Sequence, residues 1–152
     1  MEIEKKFLVS YIPKNIDSYP KKEISQSYIA LTPTIRIRKS NDDYILTIKS
    51  KGDIQREEYE LNISQYEYDH LKQKCETPEV TKTRYIIPIH NNLNAELDIY
   101  HNHLEGLITV EVEFDTIDIC ETFVPPDWFS KDITFDNRYK NTSLSINGLP
   151  KG

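Results

Sequence analysis

The stretch that decides the fold is residues 34–49, Thr-Ile-Arg-Ile-Arg-Lys-Ser-Asn-Asp-Asp-Tyr-Ile-Leu-Thr-Ile-Lys. Apolar and polar side chains alternate on both sides of the turn formers Ser40-Asn41-Asp42-Asp43, which predicts two antiparallel strands joined by a short turn. Side chains at i and i+2 project from the same side of a strand. Arg36 and Arg38 therefore share one face, and the opposite face of this strand carries isoleucines.

The two-residue period recurs along most of the chain. Eight segments show it or lie between turn formers, at residues 2–9, 24–31, 34–41, 43–51, 54–63, 79–89, 94–101 and 107–114. Their short connections favour antiparallel hairpins, because parallel neighbours need long crossovers. Since 152 residues are enough for one core, we expect a mainly β (α+β) fold in a single domain over residues 1–152.

Few helices are predicted. Ser64 and Glu67 have the spacing of a capping box, which indicates a helix that runs to about residue 75. Further candidates are a helix that begins near residue 126, a short one over 141–146 and one over 13–22, which contains Pro20.

Composition excludes several classes of protein. The net charge of −6 disfavours a general nucleic-acid-binding surface, which needs a basic face. No apolar run approaches the length of about 18 residues that a membrane-spanning helix needs. With 2 cysteines and no charged and apolar leader segment, the chain does not resemble a disulfide-stapled secreted protein. We expect a cytoplasmic protein with no nucleic-acid or membrane partner, as a monomer or homodimer.

Charges of like sign are paired within single strands. The acidic pairs are Glu2/Glu4, Glu58/Glu60, Glu96/Asp98 and Glu111/Glu113, and the basic pairs are Arg36/Arg38 and Lys82/Arg84. A solvated sheet face normally mixes signs, because neighbouring like charges repel. Carboxylate pairs suit divalent cations such as Mg²⁺ or Mn²⁺. Clustered arginine and lysine side chains suit phosphate.

Two architectures accommodate this alternation. In a β-sandwich the charged faces would lie outside and the apolar faces would form the core. In an eight-stranded antiparallel closed barrel the charged faces would point inward, and a few peripheral helices would cover the apolar outer face. The segregation of charges by strand favours the barrel, with a small polyanion and its metal ions as the ligand.

The N-terminal Glu2-Ile3-Glu4-Lys5-Lys6 resembles the ExExK signature of CYTH proteins, also called triphosphate tunnel metalloenzymes. Later motifs follow in the family's order: Arg36-Ile-Arg38, Leu46-Thr-Ile-Lys49, Arg56-Glu-Glu58-Tyr-Glu60, Lys82-Thr-Arg84-Tyr85, Glu96-Leu-Asp98, Glu111-Val-Glu113-Phe114 and Arg138-Tyr139-Lys140-Asn141. The resemblance covers nearly the whole chain and is strongest to compact bacterial inorganic tripolyphosphatases.

This resemblance implies an eight-stranded barrel around a charged tunnel, in which Mg²⁺ or Mn²⁺ supports hydrolysis of tripolyphosphate to pyrophosphate and phosphate. Nucleoside triphosphates are further candidate substrates. The implied metal-binding residues are Glu2, Glu4, Glu58, Glu60, Asp98, Glu111 and Glu113. The implied substrate-binding residues are Lys6, Arg36, Arg38, Lys49, Arg56, Lys82, Arg84 and Lys140. Among these, Lys6, Glu111 and Glu113 are expected to be catalytic.

Alternatives remain open at this point. A class IV adenylate cyclase or a thiamine triphosphatase would share the same charged interior. A non-catalytic polyphosphate- or nucleotide-binding module would keep the basic residues but would not need every acidic pair. Glu58 and Glu60 could instead serve as ion-pair partners that orient basic neighbours.

Overall fold

A computed structural model describes residues 2–51 and 55–151. Strands and α-helices follow in chain order. The strands are β1 (Glu2–Val9), β2 (Lys21–Leu31), β3 (Thr34–Ser40), β4 (Asp43–Lys49), β5 (Gln55–Arg56), β6 (Glu58–Asn62), β7 (Val80–Pro88), β8 (Asn94–Tyr100), β9 (Ile108–Glu113) and β10 (Phe129–Asp132). The helices are α1 (Gln65–Lys72), α2 (Ile117–Glu121) and α3 (Asn141–Asn147).

All the strands belong to one antiparallel sheet. Their order is β10-β1-β9-β8-β7-β2-β3-β4-β6, and β5 pairs with β1. In the chain, only Glu57 separates β5 from β6. Of these two short strands, β5 pairs with β1, next to one end of the series, and β6 is the last strand at the other end. The mainly β antiparallel architecture that the alternation predicted is confirmed.

Each predicted strand segment contains at least one strand. One strand segment and the helix predicted near residue 126 differ from the prediction. The segment predicted at 54–63 is divided at Glu57, and its first residue lies outside the described residues. The helix predicted near residue 126 is wrong, because a turn there leads into β10. Phe129 packs against Phe7 at a ring-centroid distance of 5.0 Å, and β10 pairs with β1. This partner strand, far away in the sequence, outweighs the local helical signal.

The helical predictions are otherwise mixed. The capping box of α1 is present: the Ser64 hydroxyl accepts from the Glu67 backbone amide at 3.1 Å, and the Glu67 side chain accepts from the Ser64 amide. The short C-terminal helix is confirmed as α3. Residues 13–22 instead form a single 3₁₀ turn at Ile16–Ser18 before β2 begins. Helix α2 has no counterpart in the sequence prediction.

The main hydrophobic core lies on the face of β1, β7, β8 and β9 opposite to their charged side chains. Phe7, Leu97, Val110 and Val112 are buried there, beneath α2 and the segment that carries Trp128 and Phe129. Alternation thus separates an apolar face, which is covered by other parts of the chain, from a charged face.

Two further elements cover the rest of the sheet. Helix α1 contacts β2, β3 and β4, and its buried Tyr68 packs edge-on against Tyr44 at 5.1 Å. Helix α3 buries Leu144 in a second apolar cluster with Val80 and Tyr100. Val80 has the parity of Lys82 and Arg84 in β7, so the charged stretch of that face ends where α3 packs.

Two observations bear on the class of protein. No helix in residues 2–51 or 55–151 has both the length and the apolarity needed to cross a membrane. Cys75 and Cys120 are free thiols, in agreement with the expectation that this is not a disulfide-stapled protein.

Candidate active site

The charged side chains of several strands meet at one cavity of about 760 Å³. Its acidic lining residues are Glu2, Glu4, Glu58, Glu96, Glu111, Glu113 and Asp136. Its basic lining residues are Lys6, Arg36, Arg38, Lys49, Lys51, Arg56, Arg84 and Lys140. The sandwich alternative is therefore wrong, because these groups share a cavity instead of an outer surface.

Most of the predicted site residues line this cavity, and three do not. Glu60 is exposed on β6, which is the last strand in the order of the sheet. Lys82 and Asp98 are fully buried beneath the lining residues, with exposed fractions of 1% and 0%. The periodicity of the sequence predicted correctly which face of the sheet carries these two side chains. It could not predict that their positions along β7 and β8 would bury them beneath the cavity.

On the acidic side, like charges stand directly opposite each other. Glu4 pairs in register with Glu113, and Glu96 pairs with Glu111. Burial and the nearby carboxylates of Glu111 and Glu2 raise the pKa of Glu4 to about 8. Burial, followed by Glu2 and Glu96, also raises the pKa of Glu113. This part of the cavity therefore carries more carboxylate than its own cations neutralise.

A second cluster joins Glu2, Glu58, Lys49 and Arg56. Arg56 Nε donates to Glu2 Oε1 at 2.7 Å, and Lys49 Nζ lies 3.3 Å from the same oxygen. Burial raises the pKa of Glu2, but a hydrogen bond from Glu58 and the charges of Lys49 and Arg56 lower it to about 2. Burial and the neighbouring Glu2 raise the pKa of Glu58 to about 7. The two carboxyl groups thus share a proton near neutral pH.

Arg56 also bridges the two acidic clusters. Its Nη2 donates to Glu4 Oε1, while its Nε holds Glu2. Arg56 and Glu2 are cross-strand neighbours in the pairing of β5 with β1. Arg56 therefore holds the side chains of both Glu2 and Glu4, and it is the counter-ion of the ionised Glu2.

On the basic side, Arg36 has unused hydrogen-bonding capacity. Its Nη2 donates to Thr47 Oγ1 at 3.2 Å, and Glu58 Oε1 lies 4.0 Å away. Its Nε is buried and has no hydrogen-bond partner among the described residues. Arg36 is only 4% exposed, and a buried donor without a partner costs about 1–3 kcal/mol. An anion in the cavity would supply the missing acceptor.

Arg38 is held by a residue that the sequence analysis did not single out. Its Nε donates to Gln26 Oε1 at 2.9 Å, across the pairing of β2 with β3. Burial and repulsion from Arg36 and Arg84 lower the pKa of Arg38 to about 9. Gln26 carries no charge, so the search for like-charge pairs could not find it. The alternation along β2 did indicate that Gln26 lies on the same face as Tyr28, and Tyr28 lines the cavity.

Arg84 is anchored from below by the buried pair. Its Nε and Nη2 donate to the two oxygens of Asp98 at 2.8 and 2.9 Å, and Lys82 Nζ lies 2.8 Å from Asp98 Oδ2. Burial and the charges of Arg84 and Arg38 lower the pKa of Lys82 to about 7, despite the opposing attraction of Asp98. With both oxygens engaged, Asp98 is the counter-ion of Arg84 and Lys82.

Lys6 connects the N-terminal strand to the C-terminal segment. Its Nζ donates to the Tyr139 carbonyl oxygen at 2.6 Å and lies 3.8 Å from Glu111 Oε1. Burial raises the pKa of Glu111, but the charges of Lys6 and Arg84 lower it to about 2. Residues from 133 to 146 supply one wall of the cavity, of which the sequence analysis had found only Lys140.

The carboxylates do not form a ready-made cage for a metal ion. Within the described ranges, no group of three or more histidine, cysteine, aspartate or glutamate side chains is arranged to hold one. Mg²⁺ is typically bound by one or two carboxylates together with substrate phosphates and water. The pairs in this cavity match that kind of binding better than a cage made of protein ligands alone.

Fold and cavity together define a class, an antiparallel β protein that brings carboxylate pairs and arginines to one cavity suited to a polyanion. The chain is 38% identical to the inorganic triphosphatase of Nitrosomonas europaea over 150 residues, which is 95% of this chain and 97% of that protein. It is 35% identical to the inorganic triphosphatase of Acetivibrio thermocellus over 156 residues, covering 96% of this chain and 94% of that protein.

A solved structure agrees with these relatives. The crystal structure of the inorganic triphosphatase NE1496 matches with a TM-score of 0.73 and 34% identity, over 99% of this chain and 97% of that one. No family model matches the chain. On the strength of the two relatives and this structure, the chain belongs to the inorganic triphosphatase family of CYTH proteins. The family resemblance is confirmed.

Proposed function

We propose that this protein hydrolyses the terminal phosphoanhydride bond of inorganic tripolyphosphate to give pyrophosphate and phosphate, with nucleoside triphosphates as further candidate substrates. The observation that carries this proposal is the meeting of eight basic and seven acidic side chains in one cavity. The basic groups match a polyanion, and the carboxylates match the cations that accompany it. Both curated relatives are named inorganic triphosphatases, which supports the same reaction.

We also propose that the sheet closes into a barrel around this cavity. Strand β5 pairs with β1, β6 pairs with β4, and only Glu57 lies between β5 and β6. The backbone of Glu57 is itself tied to Ser50, which follows β4, by hydrogen bonds of 2.9 and 2.8 Å. Strands β5 and β6 would then join the two ends of the sheet, so that strands surround the substrate.

In this proposal the substrate's phosphate groups bind to Arg36, Arg38, Arg84, Lys49 and Lys140, all of which line the cavity. The orphaned Nε of Arg36 is the strongest support, because a phosphate oxygen would satisfy it. Arginine suits this role through its planar set of donors. Arg56 contributes less directly, since Glu2 and Glu4 already engage it.

The cavity's donors fit a divalent cation, and we propose Mg²⁺ or Mn²⁺. Glu4 and Glu113 face each other, and the pKa values of both are raised, first by burial and then by other nearby carboxylates. Glu2, Glu111 and Glu58 complete the set of oxygen ligands, which hard cations prefer. A bound cation would draw negative charge from the triphosphate and lower the barrier to its cleavage.

We propose that the reaction is in-line attack by water on the terminal phosphorus. Lys6 contacts the terminal phosphate, and Glu111, 3.8 Å from Lys6, accepts a hydrogen bond from the attacking water. The new phosphorus–oxygen bond forms as the bridging bond breaks, and pyrophosphate leaves with the electron pair of that bond. One water proton stays on the new phosphate and the other is released. The arginines stabilise the charge that spreads over the transferred group.

Three of the implied site residues take other roles in this proposal. Asp98 and Lys82 hold Arg84 from beneath the cavity and do not touch the metal or the substrate, which their complete burial supports. Glu60 stays outside the metal set, because it is exposed and absent from the cavity lining.

The decisive experiment is a phosphate-release assay on tripolyphosphate, ATP, thiamine triphosphate and pyrophosphate, with Mg²⁺, with Mn²⁺ and with EDTA. We expect turnover of tripolyphosphate that requires a metal. Glu111→Gln should lower kcat by at least about 100-fold, whereas Glu121→Gln, at an exposed position of α2, should leave it unchanged. A folded wild-type protein that releases no phosphate from any triphosphate under these conditions contradicts the proposal.

The same reactions separate the rival activities. Accumulation of cyclic AMP from ATP would identify a cyclase, and binding of tripolyphosphate without cleavage would identify a binding module. We place the enzyme in the cytoplasm, a location that the two free thiols support.

A further inference from the structure

We propose that Gln26 is a positioning residue, which orients Arg38 towards the substrate and leaves the positive charge of Arg38 unneutralised. This inference rests on the proposed function, because it assigns a role to Gln26 in binding the triphosphate.

Gln26 is buried completely, with an exposed fraction of 0%. Its Oε1 accepts from Arg38 Nε at 2.9 Å, and its Nε2 donates to the Tyr28 hydroxyl oxygen at 3.3 Å. The second bond fixes which end of the amide faces the arginine. Gln26 and Arg38 are also direct neighbours across β2 and β3, so their side chains lie on the same face.

Three of the four arginines that line the cavity, Arg36, Arg38 and Arg84, are held in different ways. Arg84 makes a two-pronged ion pair with Asp98, and Arg36 has Glu58 within 4.0 Å. Within the described part of the chain, Arg38 has no carboxylate at ion-pair distance, and its hydrogen-bonded anchor is the neutral Gln26. Arg38 therefore combines a fixed position with a free charge.

The neutrality of the anchor has a direct electrostatic consequence. A glutamate at position 26 would have the same shape and would give Arg38 a permanent counter-ion. An incoming phosphate would then compete with that carboxylate and would also be repelled by it. The lowered pKa of Arg38 agrees with this view, since burial and the neighbouring Arg36 and Arg84 disfavour its charge. The substrate anion would relieve this cost on binding.

The test compares Gln26→Glu, Gln26→Met and wild type by the KM and kcat for tripolyphosphate and by the melting temperature of the substrate-free protein. We expect Gln26→Glu to raise KM about 10-fold or more, with a smaller change in kcat and an unchanged or higher melting temperature. Gln26→Met keeps the charge of Arg38 free but loses its anchor, so KM should rise about 3-fold. The matched control is Gln73→Glu, which adds the same charge at an exposed position after α1 and should change neither quantity.

A purely structural role for Gln26 would give a different pattern. Stability and affinity would then fall together, or KM would stay within 2-fold of wild type in Gln26→Glu, and either result overturns the inference. If Gln26→Glu does not fold, Gln26→Met decides: an unchanged KM contradicts the role, and a raised KM at constant kcat supports it.

A second experiment uses the Arg38→Met variant to test whether Gln26 acts through Arg38. In Arg38→Met, adding the neutral substitution Gln26→Met should change the dissociation constant for tripolyphosphate, measured by calorimetry, by less than 2-fold, because the arginine that Gln26 orients is gone. A large further loss in this background overturns the inference. Failure of the proposed function is distinguishable, because the wild-type protein itself would then neither bind nor cleave tripolyphosphate.

Discussion

At the scale of single residues, the buried carboxylate of Asp98 illustrates the cost of assembling so much charge in one interior. It accepts from Arg84 and lies against Lys82, and neither Asp98 nor Lys82 is exposed. We expect Asp98→Asn to destabilise the fold by about 3–5 kcal/mol, because two buried cations lose their counter-ion. Urea unfolding measures this. Glu96→Gln is the control: Glu96 is one-third exposed and 3.4 Å from Arg84, so it should cost below about 1 kcal/mol. Equal losses in both variants would contradict this account.

A second residue-scale prediction concerns Glu4, whose pKa is raised to about 8 by burial and the carboxylates of Glu111 and Glu2. The folded state then keeps a proton that the unfolded state releases above its ordinary pKa of 4.5. The bound proton contributes fully to the unfolding free energy below pH 4.5, and this contribution is lost as the pH rises towards 8. The pKa of Glu58 is raised to about 7, so its proton also stabilises the folded state, and that contribution is lost as the pH rises towards 7. Without metal, the unfolding free energy should therefore fall between pH 5 and 7.

Urea unfolding in EDTA at pH 5, 6 and 7 tests this slope. We expect a loss on the order of 1 kcal/mol per pH unit for each of the two groups. Glu4→Gln should about halve the slope, whereas Glu121→Gln should preserve it. Stability that rises over this range in the metal-free wild type would show that Glu4 is ionised in the folded state. Glu2 and Glu111, whose pKa values are near 2, contribute no slope in this window.

At the scale of elements, α1 shields the sheet without touching the cavity, so its stability and the activity should separate. Ser64→Ala removes the hydroxyl that accepts from the Glu67 amide and should cost about 1 kcal/mol. Glu67→Gln keeps an acceptor for the Ser64 amide and should cost much less. Chemical denaturation measures both, and kcat for tripolyphosphate should be unchanged. A loss of kcat in the folded Ser64→Ala protein would mean that α1 acts on the cavity.

Elements also show what the sequence could and could not predict. The faces of β1, β3 and β9 were predictable, because alternation is local and each strand carries its own charged pair. Strand β10 was not, since its partner in β1 is 120 or more residues away and the contact of Phe129 with Phe7 decides its conformation. Gln26, which binds Arg38, was not predicted, because the site residues were predicted from pairs of charged side chains and Gln26 is neutral. Asp98 and Glu96 share a face, yet only Glu96 reaches the cavity, and depth along a strand is a tertiary property.

At the scale of the whole molecule, a cavity lined by opposed like charges makes the stability of the protein depend on its ligands. Arg36 has a buried donor without a partner among the described residues, and Glu4 faces Glu113, so a triphosphate and its cation would relieve both costs together. Binding to the folded state alone stabilises it by about 2.7 kcal/mol at a ligand concentration 100 times the dissociation constant. For a chain of 152 residues, this corresponds to a rise in melting temperature of roughly 5–10 °C.

Ligand removal tests this coupling. We expect tripolyphosphate with Mg²⁺ to raise the melting temperature of Glu111→Gln, which should not consume it, more than the sum of the rises from tripolyphosphate alone and Mg²⁺ alone. Adding EDTA should reverse the excess. Orthophosphate at equal ionic strength is the control, and its effect should be small because it spans only one phosphate position. Additive shifts would mean that anion and cation bind independently, and the carboxylate pairs would then hold the metal without help from the phosphate oxygens.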